Sequence, residues 1–267
     1  MIYFVATPIG NLQDITLRAL ETLKSADVIF CEDTRHTLKL LNAYEIKKPL
    51  YACHKFNETE AAQKILDASR RGESVAIVSD AGTPVVSDPG NVVCQVLRDA
   101  GEPYTVIPGA CAFVAGLVLS ALPADKFAFL GFLPDKAGEK RAVLEKYKDC
   151  DLTLIFHSAP QDIDKNLAAM YEVFGERKAA AVREITKIHE ESLTFNLSEG
   201  LQGDKRGEYV LLVEGAKQMR SPLCDLSETE HIRHYMAAGL DKKEALKRAA
   251  KDRGVSKSEL YPFSIDL

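Results

Sequence analysis

The sequence lacks most of the signatures from which an enzyme's chemistry can be read directly. It has no GxGxxG, no Walker-type phosphate loop, no GxSxG and no HExxH. Dinucleotide, nucleoside-triphosphate, serine-hydrolase and zinc-protease sites therefore lack their usual marker. Its six cysteines, Cys31, Cys53, Cys94, Cys111, Cys150 and Cys224, form no CxxC pair and have no histidine cluster nearby. Reduced thiols are expected, not a disulfide frame or a zinc site, and no bound metal is expected. No apolar run approaches the roughly 18 residues needed to span a bilayer. The opening MIYFVA carries no basic segment or cleavage site, so the expected location is cytoplasmic. Basic excess is missing too. With 34 Lys and Arg against 39 Asp and Glu, the formal charge is −5, and no global field advertises a nucleic-acid partner.

What remains is an ordinary globular composition, 46% apolar and 27% charged, spread over 267 residues, which is more than one typical domain. Five short apolar runs, at 2–6, 27–31, 49–52, 75–78 and 104–107, alternate with helical patterns. Continuous apolar runs of this length suit strands buried on both faces of a parallel sheet. The fold class is α/β, and the first α/β domain is expected over 1–122. A second α/β domain, with hairpins that could be antiparallel, is expected over 123–220, with strands near 127–133, 152–156, 179–182 and 208–214. From 221 to 267 the pattern is purely helical. It reads either as a helix-turn-helix-like module or as a capping helical pair. This tail carries Lys242, Lys243, Lys247, Arg248, Lys251, Arg253 and Lys257. The charged stretch 135–148 reads as a solvated helix face.

The chain is organised around Val75–Gly90, VAIVSDAGTPVVSDPG. A buried strand runs into a carboxylate (Asp80), a glycine (Gly82) and small hydroxyls, where an open α/β sheet places its ligand. Gly82 admits close backbone approach and Pro84 stiffens the loop. Composition alone allows an ordinary βα turn equally well. Other strands end in similar fashion: Thr7-Pro8-Ile9-Gly10-Asn11, Glu32-Asp33-Thr34-Arg35-His36 and Pro108-Gly109-Ala110-Cys111-Ala112. The acids of the second could form a site or the first turn of a helix. The convergence of these strand ends is what points to a pocket.

The blocks VATPIGNLQDIT (5–16), FCEDTRHT (30–37), SDAGTPVVSDPG (79–90), VIPGACAF (106–113), FLGFLP (129–134), REITKIHEE (183–191) and GEYVLLVEG (207–215) together resemble one family over essentially the whole chain. It is the ribosomal RNA small-subunit methyltransferase I group of the tetrapyrrole methylase superfamily. The resemblance implies two α/β domains of the tetrapyrrole methylase type with a cofactor cleft between them, a small helical extension, and a homodimer. The implied reaction is S-adenosylmethionine-dependent 2′-O-methylation of a cytidine ribose in the decoding region of 16S rRNA, within the small ribosomal subunit. The implied cofactor-binding residues are Asp80, Ala81, Gly82, Thr83 and Pro84, the turn Pro108, Gly109, Ala110, Cys111 and Ala112, and Pro8 with Gly10 beneath. Cys111 stands where relatives usually carry serine, and LIFHSAPQD (154–162) replaces a block close to VFYESPHR.

A ribose hydroxyl is a poor nucleophile, so a base, or a cation at the developing alkoxide, should assist it. Lys187 is the cationic candidate, with Glu184 or Glu190 as carboxylate. Glu32, Asp33 and Arg35 form the rival set, and Lys187 could equally be a structural ion-pair partner. The RNA-facing surface is expected to combine the 135–148 lysines with the basic tail. A small-molecule methyltransferase of the tetrapyrrole or corrin type would use the same cofactor loops without needing that tail. A non-catalytic cofactor-binding regulator is the third reading.

Overall fold

The computed structural model describes residues 1–203, 205–217, 222–265 and 267. The chain forms two compact units, Met1–Ala216 and Lys217–Leu267. The boundary expected between 220 and 221 lies outside the described residues.

The first unit contains two sheets. In the first sheet, β1 (Ile2–Val5), β2 (Val28–Cys31), β3 (Leu50–Ala52), β4 (Val75–Val78) and β5 (Tyr104–Ile107) stand in the order β3-β2-β4-β1-β5, all parallel. The central strands β2 and β4 are buried at every residue, as their unbroken apolar runs require. Helices α1 (Leu17–Ser25), α2 (Thr34–Ala43), α3 (Glu58–Arg70) and α4 (Asn91–Asp99) supply the crossovers, and α5 (Ala112–Ser120) leads out of this sheet. Helix α2 begins four residues earlier than its apolar pattern suggests. Asp33 caps it, accepting the Arg35 N–H at 2.8 Å, so the helical start reaches back into the acidic block.

The second sheet is mixed. Its strands β6 (Phe127–Phe132), β7 (Thr153–Ser158), β8 (Lys178–Arg183), β9 (Glu191–Asn196) and β10 (Tyr209–Val213) order as β6-β7-β10-β8-β9. Only β6 and β7 pair in parallel. Strand β9 was not expected: it is an edge strand with mostly exposed residues, and it lacks the apolar run that marks a buried strand. Helices α6 (Ala137–Glu145) and α7 (Ile163–Phe174) cover one face. The reading of 135–148 as a solvated face needs correction at Lys140, which is buried and donates to Asn166 Oδ1 at 2.6 Å. That lysine is not available to RNA.

The second unit holds α8 (Glu228–Ala237), α9 (Lys242–Arg253) and α10 (Lys257–Leu260), around a core of Ile232, Ala245, Leu246, Ala249, Ala250 and Leu260. Ser227 starts α8 with a capping box, Asp241 caps α9 and Gly254 ends it in the left-handed conformation. The structure sorts the basic tail. Lys242 donates to the carbonyls of Ile265 and Leu267, and Arg253 is held by Glu228 and His231. Lys243, Lys247 and Lys251 remain exposed at i, i+4 and i+8, on one face of α9. No helix among the described residues is long and apolar enough to cross a membrane. All six cysteines are free.

Candidate functional site

In the first sheet the connections from β1 and β4 leave in opposite directions. Ligands of open parallel sheets sit at such a point, outside the carboxyl ends of the strands. The two loops leaving there are joined through Thr7 and Gly82. The Thr7 N–H donates to the Gly82 carbonyl at 2.9 Å, and the Gly82 N–H to the Thr7 carbonyl at 3.1 Å. Gly82 makes this bridge at φ +82°, a conformation that L-residues with a Cβ avoid. The Thr83 hydroxyl donates to the Ala110 carbonyl at 3.2 Å and ties in the loop after β5. Glu58 anchors the far end of the central loop by accepting the N–H groups of Gly90 and Val92 at 2.8 and 2.7 Å.

Between these loops and the second sheet lies a cavity of about 330 Å³. Ile9, Ala81, Gly82, Thr83, Cys111 and Ala112 line it from the first sheet's side. The second sheet contributes His157–Pro160, Glu184, Lys187 and Glu208–Val210. A second cavity, of about 350 Å³, adjoins it and takes in Pro8, Gly10, His36, Thr37 and Asp80. Ile9, Ala81, Lys187 and Glu208 line both.

Lys187 stands at this shared wall. Its Nζ is 3.0 Å from Glu184 Oε1 and 3.3 Å from Glu208 Oε2. Partial burial pulls its pKa down, but hydrogen bonds and charge from the two carboxylates outweigh that and raise it above the ordinary lysine value. Lys187 is therefore a standing cation. Burial likewise works to raise the Glu184 carboxyl, and the Glu208 N–H together with Lys187 brings it below the usual range. The loop that presents Lys187 is strained: Glu184 and Thr186 take φ of +48° and +67°. Left-handed backbone costs roughly 1–2 kcal/mol at each such residue. Glu190 offsets part of this by accepting the Thr186 N–H at 2.6 Å. Gly10 lets the loop approach. A Cβ on Gly10 would lie 2.6 Å from Lys187 Cγ and 2.8 Å from its Cε.

Other anticipated residues fall elsewhere. Glu32, Asp33, Arg35 and Glu190 line neither cavity, nor do Pro84, Pro108, Gly109 and Ala110. Asp33 is the cap of α2, and its bond to the exposed Arg35 guanidinium holds its carboxyl well below the usual range. Its N–H donates to Asp80 Oδ1 at 3.0 Å, linking the ends of β2 and β4. Burial, then the charges of Asp88 and Asp80, pushes the Glu32 carboxyl up. Among the described residues, no group of three His, Cys, Asp or Glu is placed to hold a metal.

Residues 1–200 match the family described as Tetrapyrrole (Corrin/Porphyrin) Methylases. The chain belongs to the tetrapyrrole methylase family. Within it, the chain is 40% identical to the Ribosomal RNA small subunit methyltransferase I of Bacillus subtilis (strain 168), over 98% of this chain and 92% of that protein. It is 42% identical to the protein of the same name from Mesorhizobium japonicum, over 100% of this chain and 92% of the other. Among solved structures, the methyltransferase CobJ superposes with a TM-score of 0.61 at 18% identity, covering 80% of this chain and 94% of that one. Uroporphyrin-III C-methyl transferase from Thermus thermophilus, complexed with S-adenyl homocysteine, superposes with a TM-score of 0.56 at 20% identity, covering 79% and 96%. These likenesses establish the fold of this methyltransferase family for the chain.

The site contains residues that sequence reasoning did not single out, above all Glu208, Phe132 and His157. Glu208 precedes β10, and it reaches the site because β10 runs antiparallel to β7 in a register pairing Tyr209 with Ser158. The sole signal was its place at the start of EYVLLVE.

Proposed function

We propose that the protein transfers a methyl group from S-adenosylmethionine to the 2′-hydroxyl of a decoding-region cytidine in small-subunit ribosomal RNA, acting as a homodimer. Full-length similarity to relatives named for that RNA supports the reading. The observation that carries it is that Lys187 and Glu208 line two adjoining cavities, so a donor in one and an acceptor in the other would meet at the same ammonium–carboxylate pair.

The residues present fit the cofactor. The 330 Å³ cavity lies within the span of small-molecule sites and has mostly apolar walls, among them Ile9, Phe113, Ile185 and Val210, suited to an adenine ring. Asp88, Glu184 and Glu208 supply negative charge toward a ligand that carries an ammonium and a sulfonium. Thr7, Gly82 and Ala110 hold the floor through the bonds described above. When bound, the cofactor supplies an electrophilic methyl group on sulfur.

This chain's own contribution is to bring the ribose hydroxyl into line and to manage its proton. Positioning of this kind can provide much of the acceleration. The Lys187 ammonium donates a hydrogen bond toward the oxygen on which negative charge develops, and Glu208 is the nearest exposed carboxylate able to accept the proton. Glu184 keeps Lys187 charged and aimed. Exposed apolar side chains on the edge strand β5 (Tyr104, Val106) and on α5 (Val114, Val118) supply a surface suited to a second copy.

The test is methylation of undermethylated small subunits by the purified protein, with mass spectrometry of nuclease digests. A cytidine carrying the methyl group on its ribose is expected. A methyl group on a base, or none, would refute the assignment. Lys187→Met is expected to slow single-turnover transfer by about 10²–10⁴-fold, the usual span for an acid–base group, with cofactor affinity unchanged.

A further inference from the structure

Phe132 is an anomaly at the rim of the first cavity: a phenylalanine with 63% of its surface exposed. Its position depends on an irregularity in β6. Phe129 lies opposite Ile155 and Phe132 opposite His157, so three residues of β6 span two of β7. In a regular strand, residues three apart face opposite sides of the sheet. The bulge at Leu130–Gly131, where Gly131 takes φ +65°, turns Phe132 to the same side as Phe129.

The result is a row of rings. Phe113 and Phe129 stack at 4.4 Å with planes 14° apart, His157 stands edge-on to Phe129 at 5.1 Å, and Phe132 lies 5.3 Å from His157. The inner rings are packed in place, whereas Phe132 faces solvent. This row borders the proposed reacting groups, because His157 feels the charge of Glu208, which pairs with Lys187. Burial keeps His157 on the neutral side of its ordinary range, so it can lie against a second ring as an uncharged aromatic.

We propose that Phe132, backed by His157, is a stacking platform for an unpaired base of the RNA strand presented at this site. The inference rests on the RNA-methylating reading above. Enzymes that act on a nucleotide in a folded nucleic acid draw it out of its stack, and aromatic side chains then take the place of the lost neighbours. A base has an apolar face that matches the exposed ring and needs no charge to bind there. The row ends in solvent at both Phe127, which lies 6.2 Å from Phe113, and Phe132, but of the two Phe132 lines the cavity, so it is the ring left for a partner that arrives there from solvent.

The experiment uses the full chain with two probes, a labelled decoding-region RNA hairpin and S-adenosylhomocysteine. Loss of one base–aromatic stack corresponds to about a 5- to 140-fold rise in RNA Kd for Phe132→Ala. Phe132→Tyr, which keeps the ring, is expected to restore RNA binding to within about threefold of wild type. Because Phe132 stands at the rim of the cofactor cavity, calorimetric affinity for S-adenosylhomocysteine is measured beside it and is expected to fall far less than RNA affinity in Phe132→Ala. An unchanged RNA Kd in Phe132→Ala overturns the proposal. So does an equal loss of S-adenosylhomocysteine affinity, which would assign the ring to the cofactor's adenine, or a failure of tyrosine to rescue. Failure of the underlying reading is distinguishable, because the wild-type protein itself would then not methylate RNA.

Discussion

Replacing Gly10 by alanine should damage catalysis while leaving the fold nearly intact. The added Cβ would lie 2.6 Å from Lys187 Cγ, 2.8 Å from its Cε and 3.2 Å from the Ile185 carbonyl oxygen. Carbon atoms at rest lie about 3.5–4.0 Å apart, so the Lys187 side chain must retreat by about 1 Å. Lys187 is only part-buried and flexible enough to yield. Gly10 is not in the left-handed region, so alanine adds no backbone strain there. The stability cost should stay near 1 kcal/mol, a fall in Tm of about 2–4 °C for a chain of this size. The functional cost is larger, because the ammonium no longer bridges Glu184 and Glu208 at the shared wall, and a misplacement of 1 Å can cost about 10²-fold in rate. Single-turnover methylation of small subunits, read beside a thermal melt and calorimetry with S-adenosylhomocysteine, separates these effects. A Gly10→Ala protein that methylates at the wild-type rate would refute the role given to Lys187. A melt lowered by 10 °C or more would show instead that the close approach of the two loops is mainly structural.

Two further outcomes can be checked. Reversing Lys243, Lys247 and Lys251 to glutamate should weaken binding to the small subunit and flatten its log–log salt dependence by about 2–3, at roughly 0.7–0.9 per lost phosphate contact; an unchanged slope would show that this face of α9 does not meet RNA. In the second unit, burial first, then the neighbouring Arg253, holds the pKa of His231 below its ordinary value, despite a bond to Asp252 that works the other way. The unfolded chain then binds the extra proton, so this contribution is fully present above the ordinary histidine pKa and is lost as the pH falls through it toward the folded value. Hydrogen exchange in α8 and α9 should therefore quicken at pH 5.5 relative to pH 7.5 after correction for intrinsic rates, and equal protection would contradict a neutral buried imidazole.

The sequence by itself determined the central strands of the first sheet, because a parallel strand covered on both faces must be apolar without interruption, as VAIV at 75–78 is, whereas the edge strands β3 and β5 carry apolar runs that are largely exposed. It also determined the loops at the carboxyl ends of β1 and β4, since small and turn-forming residues such as Gly82 mark where the backbone must bend. Strand β9 stayed hidden because an edge strand with mostly exposed residues carries no such run. The acidic block at 32–36 divided only in three dimensions: Asp33 caps a helix, while His36 lines a cavity. Likewise, Lys140 and Lys247 look alike in sequence, yet one is buried against Asn166 and the other is exposed. The tertiary structure alone decided that Lys187 meets Glu208 and that Phe132 faces the cavity. Both follow from long-range facts, the antiparallel register of β10 on β8, which pairs Tyr209 with Arg183, and a bulge in β6 measured against β7. Local sequence encodes how each segment folds. Which distant side chains share a wall depends on strand pairings between residues tens of positions apart, and no local pattern records them.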